Sequence, residues 1–273
     1  MKKIILAFDG PHYSQGAFDF ARRLNELQPV ILRGLFLPQV DFSHAWVYME
    51  GATVTSLPVI EGYDEAATAS SIHAFEQECL RYGIAHDFRQ DRDDLAMPAL
   101  RTETRFADLL IVGSERFYAN LGVTSPNDYL KMALLRSECP VILAPEQFTF
   151  PESVVLAYDG SEDAMFAIRQ FACLFPELCT RKTVLVYATP KSGRNMPEPE
   201  HIRDFASRHF PNLTLEVLEA EPRKYFGTWI NDIHHPIVVC GAYGRSGFSE
   251  AFRTSFIAEV ITDHKVPVFI THR

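Results

Sequence analysis

The sequence lacks the features that mark membrane, disulfide-bonded and nucleic-acid-binding proteins. Its apolar runs are short compared with the roughly 20 residues of a membrane helix, and Met1-Lys2-Lys3 leads into a strand-like run rather than a signal peptide. Five cysteines, with no C-x2-C pair, argue against both a disulfide framework and a zinc site. A net charge of −9 disfavours a broad polyanion-binding surface. We therefore expect a globular cytoplasmic protein that binds neither membranes nor nucleic acid.

Familiar catalytic motifs are also missing. The chain has no G-x4-G-K-(S/T) loop, no G-x-G-x2-G after a strand, no G-x-S-x-G elbow and no H-E-x2-H pair. His234 and His235 are adjacent, so we expect them to point to different sides of a helix end as solvated or capping residues. No general base or activated nucleophile is evident, and we expect a protein that is not an enzyme.

The chain contains two copies of one pattern. Residues 4–10 (IILAFDG) match residues 154–160 (VVLAYDG), and residues 139–143 (CPVIL) match residues 266–270 (VPVFI). Matches in the same order along the chain indicate a tandem repeat. We place one domain at residues 1–147 and the second at residues 151–273.

Short apolar runs rich in Val and Ile alternate with stretches of helical period in both copies, which is typical of parallel strands between crossover helices. We predict strands at 3–8, 30–37, 84–88, 109–113, 141–144, 153–158, 183–188, 213–218, 237–240 and 267–270. We predict helices at 14–28, 63–82, 93–106, 127–137, 162–175, 198–209, 222–231 and 254–264. The first copy carries an insertion, which we place in residues 39–62 and expect to pack over one of the domains because it is rich in aromatic residues. The fold class is α/β, with two doubly wound five-stranded parallel sheets and helices on both faces.

The clearest functional signal follows the fourth strand of the second copy. Gly241 and Gly244 are followed, after nine further residues, by Thr254-Ser255. Small residues allow backbone amides to approach an anion, and a Thr/Ser pair at a helix start presents hydroxyls and free amides. The spacing G-x2-G-x9-T-S therefore predicts a phosphate-binding loop.

This spacing resembles the G-x2-G-x9-G-(S/T) signature of nucleotide-binding universal stress proteins, with Thr254 in place of the usual glycine. The resemblance implies the strand order 3-2-1-4-5, with the order reversing between the first and fourth strands, where open α/β sheets bind ligands. It implies a site for ATP or another adenine nucleotide in the second copy. Asp159 would reach the ribose hydroxyls or a magnesium ion, and backbone at Ala188 and Cys240 would border the base. The residues expected around the phosphates and the turn are Gly160, Gly241, Gly244, Arg245, Thr254, Ser255 and Phe256.

Structural explanations for these residues stay open at this point. Asp159-Gly160-Ser161 could be a turn with a helix N-cap, and Thr254-Ser255 could be another cap. Gly241 and Gly244 could form a tight connection without a ligand, and Arg245 could be a solvated loop charge.

The first copy predicts no phosphate site. Arg116 replaces the second glycine, and Asn127-Asp128 occupies the Gly-Ser position. We expect Ser125, before Pro126, to cap the following helix together with Asp128, which places a carboxylate where a phosphate would need positive potential. Asp9 is then a structural turn residue.

The resemblance implies a stress-response regulatory protein with a nucleotide as its partner. Two rivals remain: a ligand-free interaction module with decayed pockets, and a slow nucleotide hydrolase. Because relatives pair through their last strands, the apolar runs 141–143 and 268–270 are expected to pair within the chain as a pseudo-dimer, which leaves a further homodimer open.

Overall fold

The computed structural model describes residues 1–38, 64–90, 96–119, 127–189, 195–219, 228–241, 260, 263 and 266–271. The chain divides into two compact units, residues 1–138 and 139–273. The predicted insertion at 39–62 lies outside the described residues, as do the predicted helix at 254–264 and the first part of the predicted helix at 222–231, except for isolated positions.

The first unit alternates strands with helices. Its elements are β1 (Lys2–Phe8), α1 (Gln15–Leu27), β2 (Val30–Phe36), α2 (Glu65–Arg81), β3 (Ala85–Gln90), α3 (Ala96–Thr104), β4 (Leu109–Gly113) and α4 (Asp128–Arg136). Strand β1 pairs in parallel with β2 on one side and β4 on the other, and β2 pairs in parallel with β3. The order in this unit is therefore β3-β2-β1-β4.

The second unit holds a six-strand arrangement. Its elements are β5 (Val141–Ala144), β6 (Ser153–Ala157), α5 (Glu162–Leu174), α6 (Pro176–Cys179), β7 (Lys182–Thr189), α7 (Pro199–His209), β8 (Leu213–Glu219), β9 (Pro236–Gly241) and β10 (Val268–Thr271). Parallel pairing gives the order β8-β7-β6-β9-β10, which is the predicted 3-2-1-4-5 order. The predicted α/β fold class is confirmed.

Strand β5 pairs antiparallel with β10, with Ile142 opposite Phe269. The resemblance implied this pairing of the two apolar runs. It also explains why β5 groups with the second unit, although by sequence it is the last strand of the first copy. The pairing gives hydrogen-bond partners to what would otherwise be an exposed strand edge.

Central strands form because their residues are apolar on both faces. All five residues of β4 and of β6 are buried, as are the first five of β9. In contrast, β3 is mostly exposed and carries charges, as an edge strand does. Arg33 of β2 pairs with Asp87 of β3: its Nε and Nη2 donate to the two carboxylate oxygens at 2.7 and 2.6 Å, which lowers the pKa of that carboxyl.

The predicted strands are all present, with ends within two residues of the predicted ones. Helix α6 was not predicted; it is one short turn that begins at Pro176, a residue whose fixed φ suits the first helical position. Among the described residues, no helix combines the length and apolar character needed to cross a bilayer.

Candidate functional site

The carboxyl ends of β6, β7 and β9 bring together the predicted site residues that the structure describes. In the sheet, β6 lies between β7 and β9, with Ala157 opposite Val186 and Leu156 opposite Val239. Asp159 and Gly160 follow β6, Ala188 is near the end of β7, and Cys240 and Gly241 end β9. The chain passes from β6 to β7 on one side and to β9 on the other, so the strand order reverses at the predicted position.

The other five predicted site residues follow β9 in the sequence. Gly244, Arg245, Thr254, Ser255 and Phe256 all lie outside the described residues. Their roles at a phosphate stay predictions, as do the roles of the five residues that the sheet brings together.

Asp159 forms the turn that leads into α5. Its Oδ1 accepts a hydrogen bond from the Ser161 amide at 2.8 Å, and Ser161 Oγ accepts one from the Ala164 amide at 3.1 Å, which caps the helix. The structural reading of Asp159-Gly160-Ser161 as a turn with an N-cap is therefore correct. Asp159 is nevertheless exposed, so its carboxylate remains accessible to a ligand.

The charge of Asp159 affects the pKa of a side chain at the end of β9. Cys240 is buried, and its thiol donates to the Phe269 carbonyl at 3.7 Å. Burial, with a smaller contribution from the charge of Asp159, raises the pKa of this thiol. The thiol of Cys240 is therefore buried and neutral, and the role of its backbone beside a ligand stays a prediction.

Gly241 has a packing role that sequence reasoning missed. A Cβ at this position would lie 2.4 Å from the Asp163 carbonyl carbon and 2.6 Å from the Ala164 nitrogen. The backbone of the first turn of α5 thus packs directly on the end of β9. Gly241 is required for this contact whether or not a ligand is bound.

A second contact missed by sequence reasoning lies beside Asp159. Gly160 has φ +85°, and a Cβ there would lie 2.7 Å from the Pro197 Cβ. Tyr158 Oη donates to the Pro197 carbonyl at 3.2 Å. Burial raises the pKa of Tyr158, and so do the charges of Glu198 and Asp159. The carboxylates of Asp159 and Glu198 therefore give a negative potential to the region beside the turn that follows β6. No short-range signal in the sequence links residues 197 and 198 to this turn.

The equivalent aspartate in the first copy is arranged differently. Asp9 is fully buried, and its Oδ2 accepts hydrogen bonds from the Tyr118 amide at 2.9 Å and contacts His12 Nδ1 at 2.7 Å. The hydrogen bond to Asp9 raises the pKa of His12, whereas the charge of Arg116 opposes that shift. These internal interactions make Asp9 a structural residue, as expected.

Tyr118 fills the space next to Asp9. Its ring is fully buried and stacks on Tyr129 at 3.9 Å between centroids, and its Oη donates to the Pro38 carbonyl at 2.6 Å. The second copy has Arg245-Ser246 in this part of the sequence, where the first copy has Phe117-Tyr118. Aromatic packing therefore occupies the edge of the first copy where the corresponding site would lie.

The predicted cap of α4 was wrong. The N-cap is Asn127, whose Oδ1 accepts a hydrogen bond from the Leu130 amide at 2.8 Å and whose Nδ2 donates to the Phe117 carbonyl at 2.7 Å. Ser125 itself lies outside the described residues. Asn127 is preferred because it satisfies a helix amide and the preceding loop at the same time.

Comparison with known proteins gives relatives in structure. No model of a protein family matches the sequence, and no curated protein matches it. A universal stress protein from Archaeoglobus fulgidus DSM 4304 is similar in structure, with a TM-score of 0.68 and 14% identity over 100% of this chain and 96% of that one. A putative universal stress protein from Pseudomonas aeruginosa UCBPP-PA14 gives a TM-score of 0.56 and 15% identity over 100% and 93% of the two chains. The chain has the fold of universal stress proteins.

Proposed function

We propose that this chain, which has the universal stress protein fold, is a stress-response regulatory protein that binds an adenine nucleotide through its second unit. The observation that carries the proposal is the difference between two equivalent residues. Asp159 is exposed beside the reversal of strand order, whereas Asp9 is buried and bonded to His12 and Tyr118. The second copy thus has an accessible carboxylate at this position, whereas the carboxylate of the first copy is buried in internal hydrogen bonds.

In this proposal Asp159 binds the ribose hydroxyls or a magnesium ion that accompanies the phosphates. Magnesium keeps several waters and is held through one or two carboxylates plus phosphate oxygens, so one exposed carboxylate suits it. No other described residue needs to ligate the ion. Ala188 and Cys240 border the base through their backbones.

Electrostatics decide where the phosphates would lie. Asp159 and Glu198 are both negative, and Glu198 belongs to the segment that packs on Gly160. Phosphates that no magnesium ion links to Asp159 would be repelled from that side and are expected toward β9 and the sequence that follows it. Gly244, Ser255 and Arg245 would then surround them with amides, hydroxyls and one positive charge, a set that suits an anion.

Calorimetric titration of the full-length chain with ATP, ADP and AMP, each with and without magnesium, tests the proposal. Asp159→Asn should weaken binding about 10- to 100-fold, because a hydrogen bond to a charged group contributes about 1.5–3 kcal/mol. Gly244→Asp should abolish binding of the phosphorylated ligand by adding a side chain and a negative charge to the loop. Asp204→Asn is the matched control, since Asp204 is an exposed aspartate of the same unit that pairs with Arg208 on α7.

Two results would replace the proposal with a rival. Absence of binding at millimolar nucleotide in the wild type would indicate a ligand-free interaction module. Steady nucleotide turnover that Asp159→Ala removes would indicate a hydrolase. The full-length chain is the appropriate sample, because a fragment of residues 151–273 would lack β5 and leave β10 without its antiparallel neighbour.

We also propose a cytoplasmic location and a chain that protects its own strand edge. None of the five cysteines is in a disulfide bond, which suits a reducing compartment. The β5–β10 pairing supplies within one chain the contact that two separate copies would otherwise have to make. Size-exclusion chromatography with light scattering would show whether the purified protein is monomeric.

A further inference from the structure

Two histidines and a glutamate meet where the chain enters β6 and β9. Glu152 immediately precedes β6, and His234 and His235 immediately precede β9. One ligand atom from each of the three side chains lies within 4.8 Å of the others. The cluster therefore lies at the amino-terminal ends of the parallel strands β6 and β9, whereas Asp159 lies at the carboxyl end of β6.

The prediction that the two histidines point to different sides was wrong. Their ring centroids are 4.0 Å apart, with an angle of 49° between the planes. His235 has φ +42°, a left-handed conformation that turns the chain between the two residues. The side chains therefore converge on Glu152 instead of separating.

Backbone hydrogen bonds fix the three residues relative to one another. The His235 carbonyl accepts from the amides of Glu152 at 2.9 Å and Ser153 at 3.3 Å. The Ser153 hydroxyl donates to the His234 carbonyl at 2.6 Å. Both segments are thus tied together at the backbone, so a ligand that binds the three side chains would not have to order two separate loops.

We propose that Glu152, His234 and His235 form a binding site for a divalent transition metal of the Zn²⁺ type. Zinc binds imidazole nitrogen at about 2.0–2.1 Å and carboxylate oxygen at about 2.0–2.2 Å, so two ligands of a tetrahedral ion lie about 3.3 Å apart. His234 Nε2 is 3.2 Å from Glu152 Oε2, which already matches that spacing. The ligand atoms lie within 4.8 Å of one another, and rotation of the His234 and Glu152 side chains, which are 74% and 54% exposed, would bring them closer to the half-buried His235.

The ligand types separate this site from the magnesium expected with a nucleotide. Two imidazoles with one carboxylate favour zinc, nickel or copper, whereas magnesium prefers oxygen ligands throughout. Water would complete the coordination at the exposed side. The alternative is a simple ion pair between a protonated His234 and Glu152, which needs no metal and gives His235 no role.

Metal uptake by the full-length protein tests the site. The protein should carry no polyhistidine tag and be treated with a chelator, and Zn²⁺ affinity should be measured by competition with a chromogenic chelator in the presence of excess Mg²⁺. The wild type should take up one Zn²⁺ at this site that Mg²⁺ does not displace. Glu152→Gln and His234→Ala should each weaken that binding at least about tenfold, in line with the effect of disturbing zinc coordination.

His235→Asn is the third variant, because asparagine tolerates the left-handed conformation while it removes the imidazole. It should lose affinity as the other two variants do, with an unchanged circular dichroism spectrum. His201→Ala, which removes an exposed histidine of α7 in the same unit, is the control and should bind Zn²⁺ as the wild type does. Equal affinity in the wild type and all three site variants, or no stoichiometric uptake, would overturn the proposal and leave an ion pair.

Discussion

Gly241→Ala is the substitution whose effect the structure defines most closely. The added Cβ would meet backbone atoms of Asp163 at 2.4 and 2.6 Å and the Ala164 nitrogen at 2.6 Å. Non-bonded carbon atoms pack at about 3.5–4.0 Å, so the first turn of α5 would have to move by about 1 Å. Because these atoms belong to a capped helix turn rather than to a flexible side chain, the strain cannot be relieved by a rotamer change.

Overpacking of this kind costs about 1–3 kcal/mol, and contact with backbone places Gly241→Ala in the upper part of that range. With a urea dependence of about 2–3 kcal/mol per molar, the unfolding midpoint should fall by about 1 M. Far-UV circular dichroism during a urea titration without nucleotide measures this shift.

Gly83→Ala is the comparison variant. Gly83 has φ +63°, but a Cβ there would meet no atom within 4 Å. The cost should then come from the left-handed backbone alone, about 1 kcal/mol, and the midpoint should fall less than in Gly241→Ala. A Gly241→Ala midpoint equal to that of the wild type would refute the packing argument and return Gly241 to a role that depends on a ligand.

Three further predictions concern individual side chains. The hydrogen bond from His12 to Asp9 raises the pKa of His12 in the folded state, so its stabilising effect is complete below about pH 6.5 and is lost as the pH rises through the raised pKa. In thermal unfolding, the stability of the wild type relative to His12→Gln should therefore be greater at pH 5.5 than at pH 9. An equal stability difference at the two pH values would contradict this prediction. Tyr118→Phe should cost about 1–3 kcal/mol, because it leaves the buried Pro38 carbonyl without its donor; urea unfolding measures the loss, and no loss would mean that another donor replaces the hydroxyl. Cys173 is exposed while the other four cysteines are buried, so a thiol reagent should modify one cysteine rapidly in the native protein and all five after denaturation. Fast modification of any other cysteine, found by peptide mapping, would show that a buried thiol is accessible.

Much of the fold could be predicted because the central strands leave a strong local signal. Residues 154–157 and 237–240 are continuous apolar runs that are buried on both faces, and the structure places them side by side. The pairing of β5 with β10 followed from the resemblance, with which the two short apolar strands agreed, and its antiparallel direction was not predicted. Strand order followed from the resemblance and not from periodicity.

The parts that could not be predicted depend on contacts between distant residues or on unusual backbone conformations. A glycine at position 241 is consistent with a close backbone contact, but the sequence does not identify α5 as the element that makes the contact. The left-handed conformation of His235 has no local signature, so the convergence of the two histidines on Glu152 could not be foreseen.

The cap of α4 shows a different kind of limit. Asn127 caps the helix in place of the predicted Ser125, and its side chain also donates to the Phe117 carbonyl. That carbonyl is positioned by the loop that carries Tyr118, which has φ +54° and packs against Tyr129. A choice between two neighbouring caps thus depends on tertiary packing.

Photoaffinity labelling with an azido derivative of ATP, followed by peptide mapping, tests most directly whether the nucleotide binds to the second copy of the repeat. We expect labelled peptides only within residues 139–273, in particular next to Asp159 or Cys240, and loss of the label when unmodified ATP is added. Competable labelling of peptides that contain Asp9 or Tyr118 would contradict it.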